Sequence, residues 1–163
     1  MKPIETSVMF DMRAPAFGTP PAELYAEALN MAAFADEIGV TNINLMEHHA
    51  SADGYLPQPF VMGGGVAART QRCRLTLGAI ILPLHDPVQV AEQIGVLDLM
   101  SSGRLMVTFG AGYVAEEFAA FGASLKDRAR PRSYRRRCTG RWRPAPSSAS
   151  RSSPACRATC RTR

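Results

Sequence analysis

The residues best suited to chemistry are Glu47, His48 and His49, one carboxylate and two imidazoles that end the apolar stretch Asn42–Met46. Histidine titrates near neutrality, so it can hold or shuttle a proton at a reacting group. Ionisable side chains at the C-terminal end of a buried strand mark the place where α/β folds put their chemistry. Side chains alternate along a strand, so His48 is expected to face the site and His49 to support it from the other side. A surface or hydrogen-bonded structural role is the plainer reading of a His-His pair. A metal site is disfavoured, because three sequential residues lack the i, i+4 spacing of a helical zinc pair. No metal ligand is assigned.

The elements that must position these residues follow from hydrophobic period and punctuation. Thr6–Phe10 has strand composition. Thr19-Pro20-Pro21 has the chemistry of a helix start, with a Thr N-cap and proline in the first turn. Leu24, Ala28, Met31, Ala35 and Ile38 form one apolar helical stripe, and Gly39 closes the helix. Ile43–Met46 is the next strand, and Phe60–Thr70 a helix despite Gly63-Gly64-Gly65. Three interior glycines cost a helix about 3 kcal/mol against alanine. No Lys-Ser/Thr follows them and no G-x-G-x-x-G spacing exists, so they read as a close-packing surface rather than a phosphate cradle.

Leu75–Leu82 is a near-continuous apolar run, the mark of a parallel strand buried on both faces. Asp86-Pro87 starts a helix with apolar face Val90, Ala91, Ile94 and Leu97, closed by Ser101-Ser102-Gly103. Leu105–Phe109 is a fourth strand leading into Gly110-Ala111-Gly112. Strands alternating with helices mean an α/β fold, either an open doubly wound sheet or the start of a (β/α)8 barrel. Polar groups collect at strand ends in Glu47-His48-His49, His85-Asp86 and Gly110 to Glu117.

Charge divides the 163-residue chain in two. Residues 1–127 hold seven Lys/Arg and all fourteen Asp/Glu, a net of −7, while 128–163 hold twelve Arg and no acid, which brings the total to +5. The first part is read as the folded domain. The second has no aliphatic residue larger than alanine and is expected to be a disordered basic tail. Its composition and abrupt onset suggest an out-of-frame continuation. Arg135-Arg136-Arg137 near Tyr134 and Trp142 is the feature a nucleic-acid arm would use, should the tail be a true part of the protein. Cys73 alone in the domain gives no disulfide framework. No secretory leader is visible, and the longest uncharged apolar run, Leu75–Leu84, is far short of the roughly 20 residues of a membrane span. A cytoplasmic protein without membrane contact is expected.

Several stretches, taken in order, choose between the two architectures. They are Glu47-His48-His49, Ala67-Ala68-Arg69-Thr70, Leu82-Pro83, Asp86-Pro87-Val88, Ala91-Glu92, Leu97-Asp98, Ser101-x-Gly103-Arg104, Gly110-x-Gly112, Glu117 and Phe121-Gly122. Together they resemble the luciferase-like flavin-dependent monooxygenases over about residues 5–127. The resemblance implies a (β/α)8 TIM barrel, of which this chain supplies strands one to four, and a two-component chemistry. A separate flavin reductase supplies reduced FMN, which with O2 oxygenates a small organic substrate; the deazaflavin F420 is the alternative cofactor.

Homo- or hetero-dimers occur in the intact family. By the same resemblance His48 is the catalytic histidine, with Glu47 and His49 beside it. Gly78-Ala79 matches the family's cis peptide under the flavin ring, and Gly110, Ala111 and Glu117 fall at further cofactor-side positions. Luciferase has a reactive cysteine and a flavin-phosphate arginine where this chain has Gly110-Ala111, so light emission is not expected. A (β/α)8 domain typically takes about 250 residues, so weak flavin binding and low activity are expected of this chain.

Overall fold

The computed structural model describes residues 4–129. The basic tail, from residue 130 onward, lies outside the described residues, as do its expected disorder and nucleic-acid contacts. The elements are β1 (Ser7–Phe10), α1 (Pro21–Glu37), β2 (Asn42–Leu45), α2 (Pro59–Arg69), β3 (Arg74–Ile81), α3 (Pro87–Met100), β4 (Leu105–Gly110) and α4 (Ala115–Ala120). Single 3-10 turns follow β3 at Leu82–Leu84 and α4 at Leu125–Asp127. The four strands pair in chain order and all in parallel, with Ser7 beside Asn42, Asn42 beside Arg74 and Leu75 beside Leu105. This is four successive βα units, the N-terminal half of a (β/α)8 barrel.

One face of the sheet is the core. Ile43, Leu45, Leu75 and Leu77 are fully buried, clustered with Ala28 and Ala32 of α1, Val66 of α2 and Leu97 of α3. Alternate residues face the other way and are polar: Asn42 donates to Ser7 Oγ at 3.0 Å and accepts from Thr76 Oγ1 at 2.6 Å. β3 is therefore not buried on both faces, as its apolar run suggested. Thr76, Gly78 and Ala79 are only half-buried, on the concave side that barrel strands share.

Helix boundaries follow the punctuation, with two corrections. Asp86 caps α3, accepting from the N–H groups of Val88 and Gln89, and Gly39 leaves α1 at φ +86°. Thr19 does not cap α1; Pro20 occupies that position without a side-chain bond. The expected α1 stripe is also rotated. Met31 and Ile38 are 55% and 63% exposed, whereas Ala28, Ala32, Ala35 and Asp36 are buried. An aspartate at a buried position is invisible to a purely apolar pattern.

Asp36 explains itself at the strands' N-terminal end. Its carboxylate accepts the N–H groups of Gln71, Arg72 and Cys73, which lead into β3. Burial would raise its pKa, but these bonds overcome that and hold the carboxyl well below the ordinary range. Arg104, just before β4, donates to the carbonyls of Thr70, Cys73 and Ser101 and to Thr70 Oγ1, so one guanidinium ties the ends of α2 and α3 to the start of β3. The Ala67–Thr70 and Ser101–Arg104 signatures are thus structural, at the end of the sheet opposite the histidines.

The glycine trio packs as expected. A Cβ on Gly63 would lie 2.9 Å from Leu97 Cδ2, and one on Gly65 would lie 3.0 Å from Leu29 Cδ2.

Candidate active site

β2 ends at Leu45, and Met46–His49 runs on beyond it without a regular element. Alternation persists there and sorts the ionisable groups. Glu47 and His49 turn to one side, and His48 to the other.

On the first side Glu47 is enclosed, its side chain 0% exposed. It accepts the Ile81 N–H through Oε2, His49 Nε2 at 2.8 Å through Oε1, and His85 Nε2 also through Oε1. Burial pushes its pKa up, but the hydrogen bonds from His49, His85 and Ile81 prevail and hold it at about 2. The carboxylate is ionised, so both imidazoles present Nε2–H to it. Ile81 ends β3 and His85 follows the 3-10 turn, so Glu47 locks the exit of β3 to the exit of β2.

On the other side His48 Nδ1 lies 2.7 Å from Glu117 Oε1, which also accepts the His49 backbone N–H at 3.0 Å. Glu117 sits in α4, where Phe118 anchors the helix against Ile81 and Leu84. Glu117 does not lie on a solvated helix face: it is 1% exposed. Its Oε2 is enclosed without a hydrogen-bond partner among the described residues. Tyr55 and Tyr113 stand edge-on to the His48 ring at 4.5 and 6.0 Å, and Phe121 to the His49 ring at 4.7 Å. His48 keeps its side chain 21% exposed, and its Nε2 makes no hydrogen bond among the described residues.

The third part of the site is an irregularity in β3. The Gly78–Ala79 peptide is cis, and Ala79 is the extra residue where the β3–β4 register shifts. A Cβ on Gly78 would stand 3.3 Å from Asn44 Oδ1, and one on Gly110 would stand 3.2 Å from Ala79 Cβ. Asn44 Oδ1 is buried and unpartnered among the described residues. Gly78, Ala79 and Gly110 thus form one patch of bare backbone with an idle acceptor beside it. Ala111 follows Gly110 into the loop 111–114, and the segment from Gly110 to Glu117 contains no Lys or Arg.

Two participants escaped the sequence reading. His85 stood out only as a polar strand end, since nothing in the chain order joins it to Glu47, 38 residues earlier. Tyr55 lies between β2 and α2, outside every motif singled out in the sequence.

Comparison with known proteins places this geometry. Residues 4–137 match the luciferase-like monooxygenase family. Limonene 1,2-monooxygenase from Rhodococcus erythropolis is 33% identical over 94 residues, 58% of this chain and 24% of that protein. The monooxygenase RslO1 from Streptomyces bottropensis superposes with a TM-score of 0.72 at 32% identity, covering 77% of this chain and 39% of that one.

Two more distant structures share the fold. One is the oxygenating constituent of 3,6-diketocamphane monooxygenase from Pseudomonas putida, solved with FMN (TM-score 0.69, 23% identity, 77% of this chain and 36% of that one). The other is a coenzyme F420 dependent tetrahydromethanopterin reductase from Methanopyrus kandleri (TM-score 0.52, 18% identity, 73% and 30%). The chain spans between a quarter and two fifths of the length of these proteins. By its matched residues and its four parallel βα units, the chain belongs to the luciferase-like monooxygenase family.

Proposed function

We propose that this chain carries the acid–base corner and the flavin-ring cradle of a monooxygenase that uses reduced FMN and O2 on a small organic substrate. The observation that supports this most directly is the His48–Glu117 pair. A buried carboxylate accepting Nδ1–H fixes the tautomer and leaves Nε2 as a base next to the half-open end of β2. FMN, when bound, supplies the activation of oxygen. The bare backbone of Gly78, Ala79 and Gly110 fits a flat ring, and Asn44 Oδ1 offers it an acceptor.

The loop from Gly110 to Glu117 offers no cation to a flavin phosphate, so affinity for FMN within the described residues is low. Glu47 takes no direct part. Its side chain is wholly enclosed, and it acts by holding His49 and the end of β3. F420 is the alternative cofactor, and a separate reductase is the source of the reduced flavin.

The test is isotopic. The chain, with a flavin reductase, FMN and 18O2, is offered limonene and a camphor-type diketone, and label in the product is followed by mass spectrometry. His48→Asn should lower incorporation by about 100-fold or more, the usual weight of a positioned acid–base group. Equal incorporation by wild type and His48→Asn would remove His48 from the chemistry. Turnover with reduced F420 but not FMN would transfer the reading to the deazaflavin branch.

A further inference from the structure

We propose that Glu47, His49 and His85 form a binding site for a divalent first-row transition-metal ion, one carboxylate oxygen and two imidazole nitrogens closing on a common point. A helical zinc pair places its ligands one turn apart. The structure supplies a different spacing: Glu47 and His49 are i, i+2 on extended backbone, which puts them on the same side, and the third donor comes from the turn after β3.

The three donor atoms lie within 4.8 Å of one another. Both imidazoles aim Nε2 at Glu47 Oε1, while Oε2 is held by the Ile81 N–H. That backbone bond is the kind of outer contact that orients a ligating carboxylate. The side chains are 0%, 6% and 16% exposed for Glu47, His49 and His85. The donors are therefore assembled and dry before any ion arrives, and His85, the most exposed, marks the way in.

Two nitrogens and one oxygen suit Zn2+, Co2+ or Ni2+ rather than Mg2+ or Ca2+, which prefer all-oxygen sets. With metal–ligand bonds of about 2.0–2.1 Å, tetrahedral donors stand about 3.3 Å apart. The two nitrogen–oxygen contacts, 2.8 Å at His49 and 2.5 Å at His85, must open by about 0.5 and 0.8 Å to reach that spacing. Three protein ligands leave a fourth position for water, the pattern of an open site. An imidazole that ligates through Nε2 carries its N–H on Nδ1, so binding removes Nε2–H from His49 and His85.

The chain holds three histidines in all, so long-range 1H–15N spectra of its imidazoles resolve His48, His49 and His85 without crowding. Zn2+ is titrated into protein carrying Cys138→Ser, Cys156→Ser and Cys160→Ser, which removes the tail thiolates that would compete for it. The expected result is a one-to-one change from Nε2–H to Nδ1–H at two imidazoles, with the third, His48, retaining its tautomer. His85→Ala should weaken Zn2+ binding at least tenfold. Saturation without a tautomer change, a response centred on His48, or unchanged affinity in His85→Ala would each overturn the proposal. The spectra of the unsubstituted site decide the matter even where a variant folds poorly, and none of the readouts depends on flavin or on turnover.

Discussion

At the scale of single residues, one step along an extended backbone separates His48 from His49 and gives them different work. His49 is 8% exposed, and its Nε2 is spent on Glu47. His48 turns its Nδ1 to Glu117 and keeps Nε2 free. Glu117→Gln should therefore act on His48 without touching it. The amide cannot hold Nδ1–H as a carboxylate does, so kcat should fall about tenfold or more with KM little changed. An unchanged kcat would reduce Glu117 to a packing role.

Glu47 makes a prediction of a different sort. Its pKa falls from an ordinary 4.5 to about 2 on folding. A group depressed in the folded state contributes stability that is complete above its unfolded pKa and is lost as pH drops toward its folded one. Urea midpoints should thus hold steady above about pH 5 and decline between pH 4.5 and 2, with Asp36, also depressed, adding to the decline. Glu47→Gln should cost about 3 kcal/mol at neutral pH, since three N–H donors lose their anion, and should flatten that acid limb. Of this residue chemistry, the sequence disclosed the triplet Glu47-His48-His49 and the opposite facing of its histidines. It did not disclose Glu117 or His85 as partners, because their contacts span 69 and 38 residues of chain and no local period encodes them.

At the scale of elements, what the sequence disclosed well was packing by small residues, and what it concealed was polar fastening. The three α2 glycines were legible because they interrupt an apolar helix without a phosphate-loop spacing. Their environments now separate them. A Cβ on Gly63 meets Leu97 at 2.9 Å, whereas one on Gly64 meets only Met100 Cε at 3.6 Å, an ordinary contact. Alanine is favoured over glycine in a helix by about 1 kcal/mol, so Gly64→Ala should stabilise the domain by up to that amount. Gly63→Ala should forfeit the gain to overpacking, which costs about 1–3 kcal/mol. Thermal melts of the two variants give the comparison directly, and equal shifts would mean that α2 does not sit as close to α3 as described.

Asp36 and Arg104 went unrecognised as fastenings for one physical reason. Pattern reading expects charge at the surface, yet both act on backbone: Asp36 gathers three N–H groups and Arg104 gathers the carbonyls of Thr70, Cys73 and Ser101. Lysine has no planar fork to reach several acceptors at once. Arg104→Lys should cost about 2–4 kcal/mol in chemical unfolding although it keeps the charge, because buried carbonyls lose their donors. A change below about 0.5 kcal/mol would show that the cluster is dispensable.

For the molecule as a whole, the dimer expected from the family resemblance turns on which surface would meet a second subunit. Two candidates compete among the described residues: the outer strand edges β1 and β4, and the outer helical groove between α2 and α3. The edges present unpaired backbone, and parallel edges of this kind pair indiscriminately. The groove encloses about 510 Å³ and is lined by Phe60, Val61, Val96 and Met100, with Gln89 and Glu92 at its side. Val61, Val96 and Met100 are 75%, 59% and 52% exposed. A contiguous apolar patch with polar neighbours is the usual signature of a protein contact.

If the chain pairs with a second copy, we propose the groove as the contact. Light scattering across a dilution series should find a discrete dimer, and Val96→Lys should shift its dissociation at least tenfold toward monomer while leaving the circular dichroism unchanged. Edge-driven association would respond otherwise: it would grow past dimer with concentration, ignore Val96→Lys, and yield to a lysine placed on the β4 edge at Phe109, itself 50% exposed. That second pattern would locate the contact at the sheet edges and make the α2–α3 groove an ordinary surface.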